Sequence, residues 1–147
     1  MSVEGTDALI KEFEGKELFP YSNDSNSTKN CTVGYGHLLH SGPCSSKERS
    51  TKYSEEQIDK FLKEDLSEFE WHVIRMIRVR LTQGQFDALV SLAFNLTGGL
   101  GNAETLVNAV NSKDWSGAAK AFELYNKAGG VKSPGLVCKR WAEERWF

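Results

Sequence analysis

The stretch from Ser54 to Arg78 constrains the fold more than any other part of the chain. Ile58, Phe61, Leu62, Leu66, Phe69, Val73 and Ile77 recur at three- and four-residue steps, which predicts one long amphipathic helix whose apolar stripe the rest of the chain has to cover. Its start is marked by Ser54-Glu55-Glu56-Gln57, a serine able to cap the first turn and a glutamine three residues on that reaches back. With 147 residues, 39% of them hydrophobic, the chain has the material for one domain of ordinary size, 1–147, and not for two. No apolar run is long enough for a membrane span, and the opening MSVEGTDALIKEFEG sets acids among its apolar positions, so neither membrane insertion nor a signal peptide is expected. Eighteen basic against twenty acidic side chains, a net charge of −2, argue against a protein that grips polyanions, and nucleic acid is not an expected partner.

Shorter helices surround the long one. Leu9, Ile10 and Phe13 share a face in a first helix from about Val3 to Phe13 that ends near Glu14. Thr82-Gln83-Gly84-Gln85 is a second capping box, opening a helix through Phe86, Leu89, Val90, Ala93 and Phe94 that stops near Asn95. Leu106, Val107 and Val110 make another, Trp115, Ala118, Ala119 and Phe122 the next, ended by Gly129-Gly130. Ser133-Pro134, a capping serine with proline at the first helical position, opens the last. From Lys16 to about Thr51 the pattern is different: short apolar pieces separated by Asn, Ser and Gly, with SNDSNSTKN (Ser22 to Asn30) as the tip between two strands. The class is α+β, a small β lobe and a larger helical lobe.

Polar chemistry concentrates between Glu12 and His40. Glu14 closes the first helix beside Gly15, where a carboxyl meets the negative end of the helix dipole, a setting that suits a general acid; an ordinary surface Glu is the plainer reading. Asp24 lies in the polar tip and Thr32 opens TVGYGH, so a hairpin folding back on the first helix would bring the three together. Gly34-Tyr35-Gly36-His37 reads as a strand with glycines for close backbone approach; His37 could be a base, but a structural histidine, hydrogen-bonded to backbone or buttressing a nearby carboxylate, is the plainer reading. Arg75, Arg78 and Arg80 read as a solvated face, and three of the tryptophans at 71, 115, 141 and 146 as core stripes.

Cys31, Cys44 and Cys138 have no Cys-x-x-Cys spacing, so no metal site is expected. A Cys31–Cys44 bridge and a reduced pair are both open at this point. Cys138 reads as a packed thiol and not a nucleophile.

FEGKELFPY (Phe13 to Tyr21), CTVGYGHLL (Cys31 to Leu39), LTQGQFDALVSLAFN (Leu81 to Asn95) and SPGLVCKRWAEERWF (Ser133 to Phe147) together resemble the phage-type lysozymes or endolysins, glycoside hydrolase family twenty-four. The match runs over nearly the whole chain in the right order. The resemblance implies a lysozyme-like fold with its active-site cleft between a β-hairpin lobe and a helical lobe. It also implies hydrolysis of the β-1,4 bond between N-acetylmuramic acid and N-acetylglucosamine in peptidoglycan. By similarity Glu14 is the general acid, Asp24 the carboxylate that activates water with inversion, and Thr32 the residue that positions the water. The family spacing after the glutamate falls on Asn23, one place before Asp24, in a hairpin about three residues longer than usual. Asp24 is assigned the second-carboxylate role, and Asn23 in its place would leave that carboxylate missing.

No cofactor is called for, since protonation and water attack suffice. The implied partner is a peptidoglycan glycan strand bound by a monomer. A chain without an export signal implies synthesis in the cytoplasm and delivery to the cell wall by a holin or a secretion apparatus, with an immunity protein a further partner in the second case. The rival reading is a non-catalytic peptidoglycan-binding domain of a larger phage or toxin protein.

Overall fold

The structure is a computed structural model that describes residues 4–23, 30–96, 99–128 and 131–147. Its described residues form an α+β fold that separates into two compact units, Glu14–Asp65 on one side and Met1–Phe13 with Leu66–Phe147 on the other.

The unit Glu14–Asp65 is built on an antiparallel sheet of β1 (Glu17–Asn23), β2 (Asn30–Gly34) and β3 (His37–Ser41), with β2 in the middle. β1 is an edge strand, and its register slips between Glu17 and Tyr21, around Pro20. Proline has no N–H to give to a ladder, and a bulged edge is where a sheet tolerates it. Cys31, Thr32 and Val33 are buried, as a central strand requires.

Gly34-Tyr35-Gly36-His37 is not the continuous strand expected from its alternation. Tyr35 and Gly36 form the turn between β2 and β3, with Val33 paired to His37. Both glycines adopt positive φ, 68° at Gly34 and 91° at Gly36, which side chains with a Cβ resist. Gly34 also lies against Ile58, whose Cγ2 stands 2.8 Å from where a Cβ would be. The sheet is followed by a single-turn helix, α2 (Ser46–Arg49), closed by a capping box between Ser45 and Glu48.

The long helix is α3 (Glu55–Met76). Gln57 N donates to Ser54 Oγ at 3.2 Å, and Gln57 Oε1 accepts from Ser54 N at 2.9 Å, so the expected capping box is present. Ile58, Leu62, Leu66 and Val73 are almost fully buried, and the unit boundary falls between Asp65 and Leu66.

The other unit surrounds α4 (Gln83–Asn95), where Ala88, Leu89, Val90, Leu92 and Ala93 are fully buried. Thr82 caps it as predicted. α1 (Glu4–Phe13) approaches closely because Gly5 has no Cβ to meet the Asp87 carboxylate, and Thr6 Oγ1 donates to Asp87 Oδ1 at 2.9 Å. A 3-10 turn (Gly99–Asn102), α5 (Glu104–Asn111), α6 (Trp115–Ala121) and a second 3-10 turn (Phe122–Tyr125) follow. The two-residue strands β4 (Lys127–Ala128) and β5 (Val131–Lys132) precede α7 (Pro134–Glu144); Gly129-Gly130 lies outside the described residues. Pro134 stands in the first turn of α7 as expected, but Ser133 makes no side-chain capping bond.

Two core expectations are corrected. Trp71, Trp141 and Trp146 are more than half exposed, Trp146 lying beyond the last residue of α7. Cys138 is an exposed free thiol, its face of α7 being the opposite of the one that buries Lys139, Arg140 and Glu143.

Candidate active site

Glu14 follows directly on the last residue of α1, where the helix ends and the chain turns through Gly15 and Lys16 into β1. It is half-buried. Together with Gly15, Glu17, Tyr21, Tyr35 and Gly36 it lines a cavity of about 590 Å3. Three local features build this wall: the end of α1 sets Glu14, the bulged start of β1 sets Glu17 and Tyr21, and the β2–β3 turn presents Tyr35 and Gly36. A space of this size holds a sugar ring with its substituents, and tyrosines offer it both a flat apolar face and a hydroxyl.

Thr32 is buried in the middle strand, paired to Tyr21 across the sheet. Its Oγ1 donates to the Tyr21 carbonyl at 3.3 Å. The hydroxyl proton is thereby committed to the backbone, and the oxygen is left to accept a hydrogen bond. Thr32 is not one of the residues that line the cavity; it backs the strand pair that carries Tyr21.

Asp24, expected as the second carboxylate, lies outside the described residues. Asn23 ends β1, its backbone paired with Asn30.

His37 is held in place by its neighbours. Its Nδ1–H donates to both carboxylate oxygens of Asp65, at 3.0 and 2.9 Å, and its ring stacks on Phe61 with centroids 4.2 Å apart and planes within 6°. That is the structural role expected of it, with Asp65 as the carboxylate. Lys16 Nζ pairs with Glu55 Oε1 at 2.7 Å, and this bond holds the Glu55 carboxyl below the usual carboxylate range and raises the Lys16 ammonium.

Sequence reasoning missed Glu17, Tyr21 and Tyr35 as wall residues. The signal was present in the aromatic and acidic positions on either side of the hairpin, but only the sheet register shows that they meet. Cys31 and Cys44 are disulfide-bonded, with Cα atoms 4.8 Å apart, which closes the question left open by their spacing.

Residues 11–143 match the model of the phage lysozyme family. The chain belongs to that family. Within the phage lysozyme family it is similar to the endolysin of Bacillus phage B103, 38% identical over 142 residues, which cover 95% of this chain and 51% of that protein. It is also similar to the endolysin of Salmonella phage P22, 35% identical over 141 residues, 92% of this chain and 89% of that protein. The chain thus spans about half the length of the Bacillus phage relative and most of the Salmonella phage one. Among solved structures, the muramidase domain of SpmX from Asticaccaulis excentricus superposes with a TM-score of 0.77 at 26% identity, over 99% of this chain and 95% of that one. The fold is therefore lysozyme-like. No helix among the described residues is long and apolar enough to cross a membrane.

Proposed function

We propose that the chain is a muramidase, a single domain acting as a monomer on the glycan strand of bacterial peptidoglycan. The observation that carries this reading is Glu14: a half-buried carboxyl at the end of the first helix, on a cavity of about 590 Å3 walled by two tyrosines, in a member of the phage lysozyme family.

Cleaving a glycosidic bond requires a proton on the leaving oxygen and a water, or a carboxylate, at the anomeric carbon. Glu14 enters as the acid and gives its proton to the oxygen that links N-acetylmuramic acid to N-acetylglucosamine. Asp24 takes a proton from a water as that water attacks the anomeric carbon from the opposite face. The new sugar hydroxyl carries the water oxygen, and the configuration inverts. Thr32 accepts a hydrogen bond from the water through the lone pairs that its bond to Tyr21 leaves available. Inversion requires about 6.5–9.5 Å between the two carboxyl groups, whereas retention requires about 5–5.5 Å. Glu14 supplies the proton that the leaving oxygen takes, and Asp24 takes up the one that the water loses.

The substrate lies outside the cytoplasmic membrane, and delivery by a holin or a secretion apparatus is part of this proposal. The test is the product. Purified peptidoglycan incubated with the protein is expected to release new reducing ends carried by N-acetylmuramic acid. Reducing ends on N-acetylglucosamine would replace this reading with a different glycosidase, and binding without any new reducing end would replace it with a wall-binding domain.

A further inference from the structure

The Cys31–Cys44 disulfide is surrounded by side chains that hydrolysis does not use. One ligand-capable atom from each of Cys31, His40 and Glu48 lies within 4.8 Å of the other two, and Cys44 is bonded to Cys31. The Cys31 sulfur, an imidazole nitrogen and a carboxylate oxygen therefore converge, and the Cys44 sulfur stands one bond length from that of Cys31. They come from separate pieces of the unit: Cys31 from β2, His40 from the position directly opposite it on β3, Cys44 from the turn after β3, and Glu48 from α2.

The polar pair is already oriented as metal ligands are. His40 Nδ1–H donates to the Ser41 carbonyl at 2.9 Å, which fixes the orientation of the ring, and Nε2–H donates to Glu48 Oε1, 2.7 Å away. Metal-bound histidines characteristically give their other ring N–H to a carbonyl in this way. Glu48 is steadied from behind by the Ser45 N–H, which donates to Oε2 at 2.6 Å. The His40 and Glu48 side chains are 42% and 35% exposed, leaving a path from solvent, whereas both sulfurs are buried.

We propose that reduction of the Cys31–Cys44 bond opens a Zn2+ site formed by both cysteine sulfurs, His40 Nε2 and the Glu48 carboxylate. Zinc bond lengths of about 2.3 Å to sulfur and 2.0–2.1 Å to nitrogen and oxygen place tetrahedral ligand atoms roughly 3.3–3.8 Å apart. The spacing among the Cys31, His40 and Glu48 atoms, at most 4.8 Å, closes by about 1 Å to reach that range, and the Cys44 sulfur is free to turn toward the same point once its bond to Cys31 is broken. In the chemical step a dithiol reductant gives two electrons to the sulfur–sulfur bond and is itself oxidised to a disulfide, while each cysteine sulfur takes up a proton. Zn2+ then displaces both thiol protons, and the proton shared by His40 and Glu48, into water without changing its own oxidation state.

Two thiolates with an imidazole select zinc over the hard cations that prefer all-oxygen sites. Four protein ligands leave no open position, so the site is structural. Disulfide and metal become alternative cross-links of the segment that carries Thr32 and the β2–β3 turn, one for oxidising and one for reducing surroundings. This inference is independent of the hydrolytic reading. The cysteine spacing alone argued against a metal because the ligand set is assembled by strand pairing and not along the chain.

The test is a titration of the intact protein with Co2+ and Zn2+ after reduction and removal of the reductant under nitrogen. The reduced chain is expected to take one Co2+, with a thiolate-to-cobalt charge-transfer band and the strong visible bands of a tetrahedral site, bleached by one equivalent of Zn2+. The oxidised chain is expected to show neither band. Cys138→Ser is expected to bind like the wild type, and His40→Ala and Glu48→Gln each to lose about 10–100-fold in affinity. Equal metal binding by oxidised and reduced protein overturns the proposal. So does loss of the bands in Cys138→Ser, or wild-type affinity in both His40→Ala and Glu48→Gln. If circular dichroism shows the reduced chain unfolding, Zn2+ is expected to restore the native spectrum, and failure to do so equally overturns it.

Discussion

Thr32 donates its hydroxyl proton to the carbonyl of Tyr21, its partner across β1 and β2, at 3.3 Å. The bond ties the middle strand to a residue of the cavity wall, and it fixes which way the threonine oxygen can interact: as an acceptor, toward a group that brings its own proton.

Replacing Thr32 therefore separates its two roles. Thr32→Ser keeps the hydroxyl and is expected to retain most of the hydrolytic rate, whereas Thr32→Val loses the acceptor and misplaces the water, with a fall of about 10²-fold in rate. The Tyr21 carbonyl also loses the Thr32 hydroxyl in Thr32→Val, so the unfolding free energy measured in urea is expected to fall by about 1–3 kcal/mol. Equal rates for Thr32→Val and wild type on peptidoglycan would remove Thr32 from the mechanism.

Gly34 is the position where the hairpin tolerates no side chain. Its φ of 68° disfavours any residue with a Cβ, and Ile58 occupies the space that the Cβ would need. Gly34→Ala is expected to lose about 1–2 kcal/mol from the backbone alone, and more from displacing Ile58. Gly36→Ala, at φ 91° but with nothing near its Cβ position, is expected to lose less. Chemical unfolding of the two variants side by side checks the order.

These two positions show what the sequence did and did not make legible. The helical stripe of α3 and the capping boxes at Ser54 and Thr82 were readable because each depends on neighbours within four residues along the chain. Glu14 was readable as a helix-closing acid. The Tyr35-Gly36 turn was misread as strand because glycine alternation looks alike in both, and only pairing of Val33 with His37 distinguishes them. Tyr21, Tyr35 and Glu17 as a shared wall, and Asp65 as the partner of His37, depend on register between segments distant in sequence. Local pattern carries no register information where the flanking strands are short and their pairing is interrupted by register shifts.

The buried charges of α7 supply a stability prediction away from the cavity. Arg140 and Glu143 are almost wholly buried, with Arg140 Nε 3.1 Å from Glu143 Oε2. Ser91 Oγ donates to Glu143 Oε1 at 2.6 Å, and Arg140 Nη2 donates to Asn95 Oδ1 at 2.7 Å. Removing one charge strands the other in a low dielectric, so Glu143→Ala is expected to destabilise the fold by about 3–5 kcal/mol. A loss under about 1 kcal/mol in denaturant unfolding would contradict the ion pair's role.

The His40–Glu48 pair gives a pH signature in the oxidised protein. Hydrogen bonds to the Ser41 carbonyl and to Glu48 raise the His40 imidazole above its ordinary value of 6.5, and the Ser45 N–H and His40 hold Glu48 below its ordinary 4.5. The histidine contribution is fully present below pH 6.5 and fades as pH rises through the raised value. The Glu48 contribution is present above pH 4.5 and fades as pH falls through the lowered one. The Tm advantage of wild type over His40→Gln is therefore expected to be largest between pH 4.5 and 6.5 and to shrink above that window. An advantage that grows toward pH 9 would contradict the pairing.

The central claim is that Glu14 supplies the proton to the leaving sugar oxygen. Its most direct test is the rate of reducing-end release from purified peptidoglycan by wild type and by Glu14→Gln, with binding to the same sacculi measured in parallel. The account predicts a rate lower by about 10²–10⁴-fold in Glu14→Gln, with binding and the circular dichroism spectrum retained. Equal rates from the two proteins would contradict it.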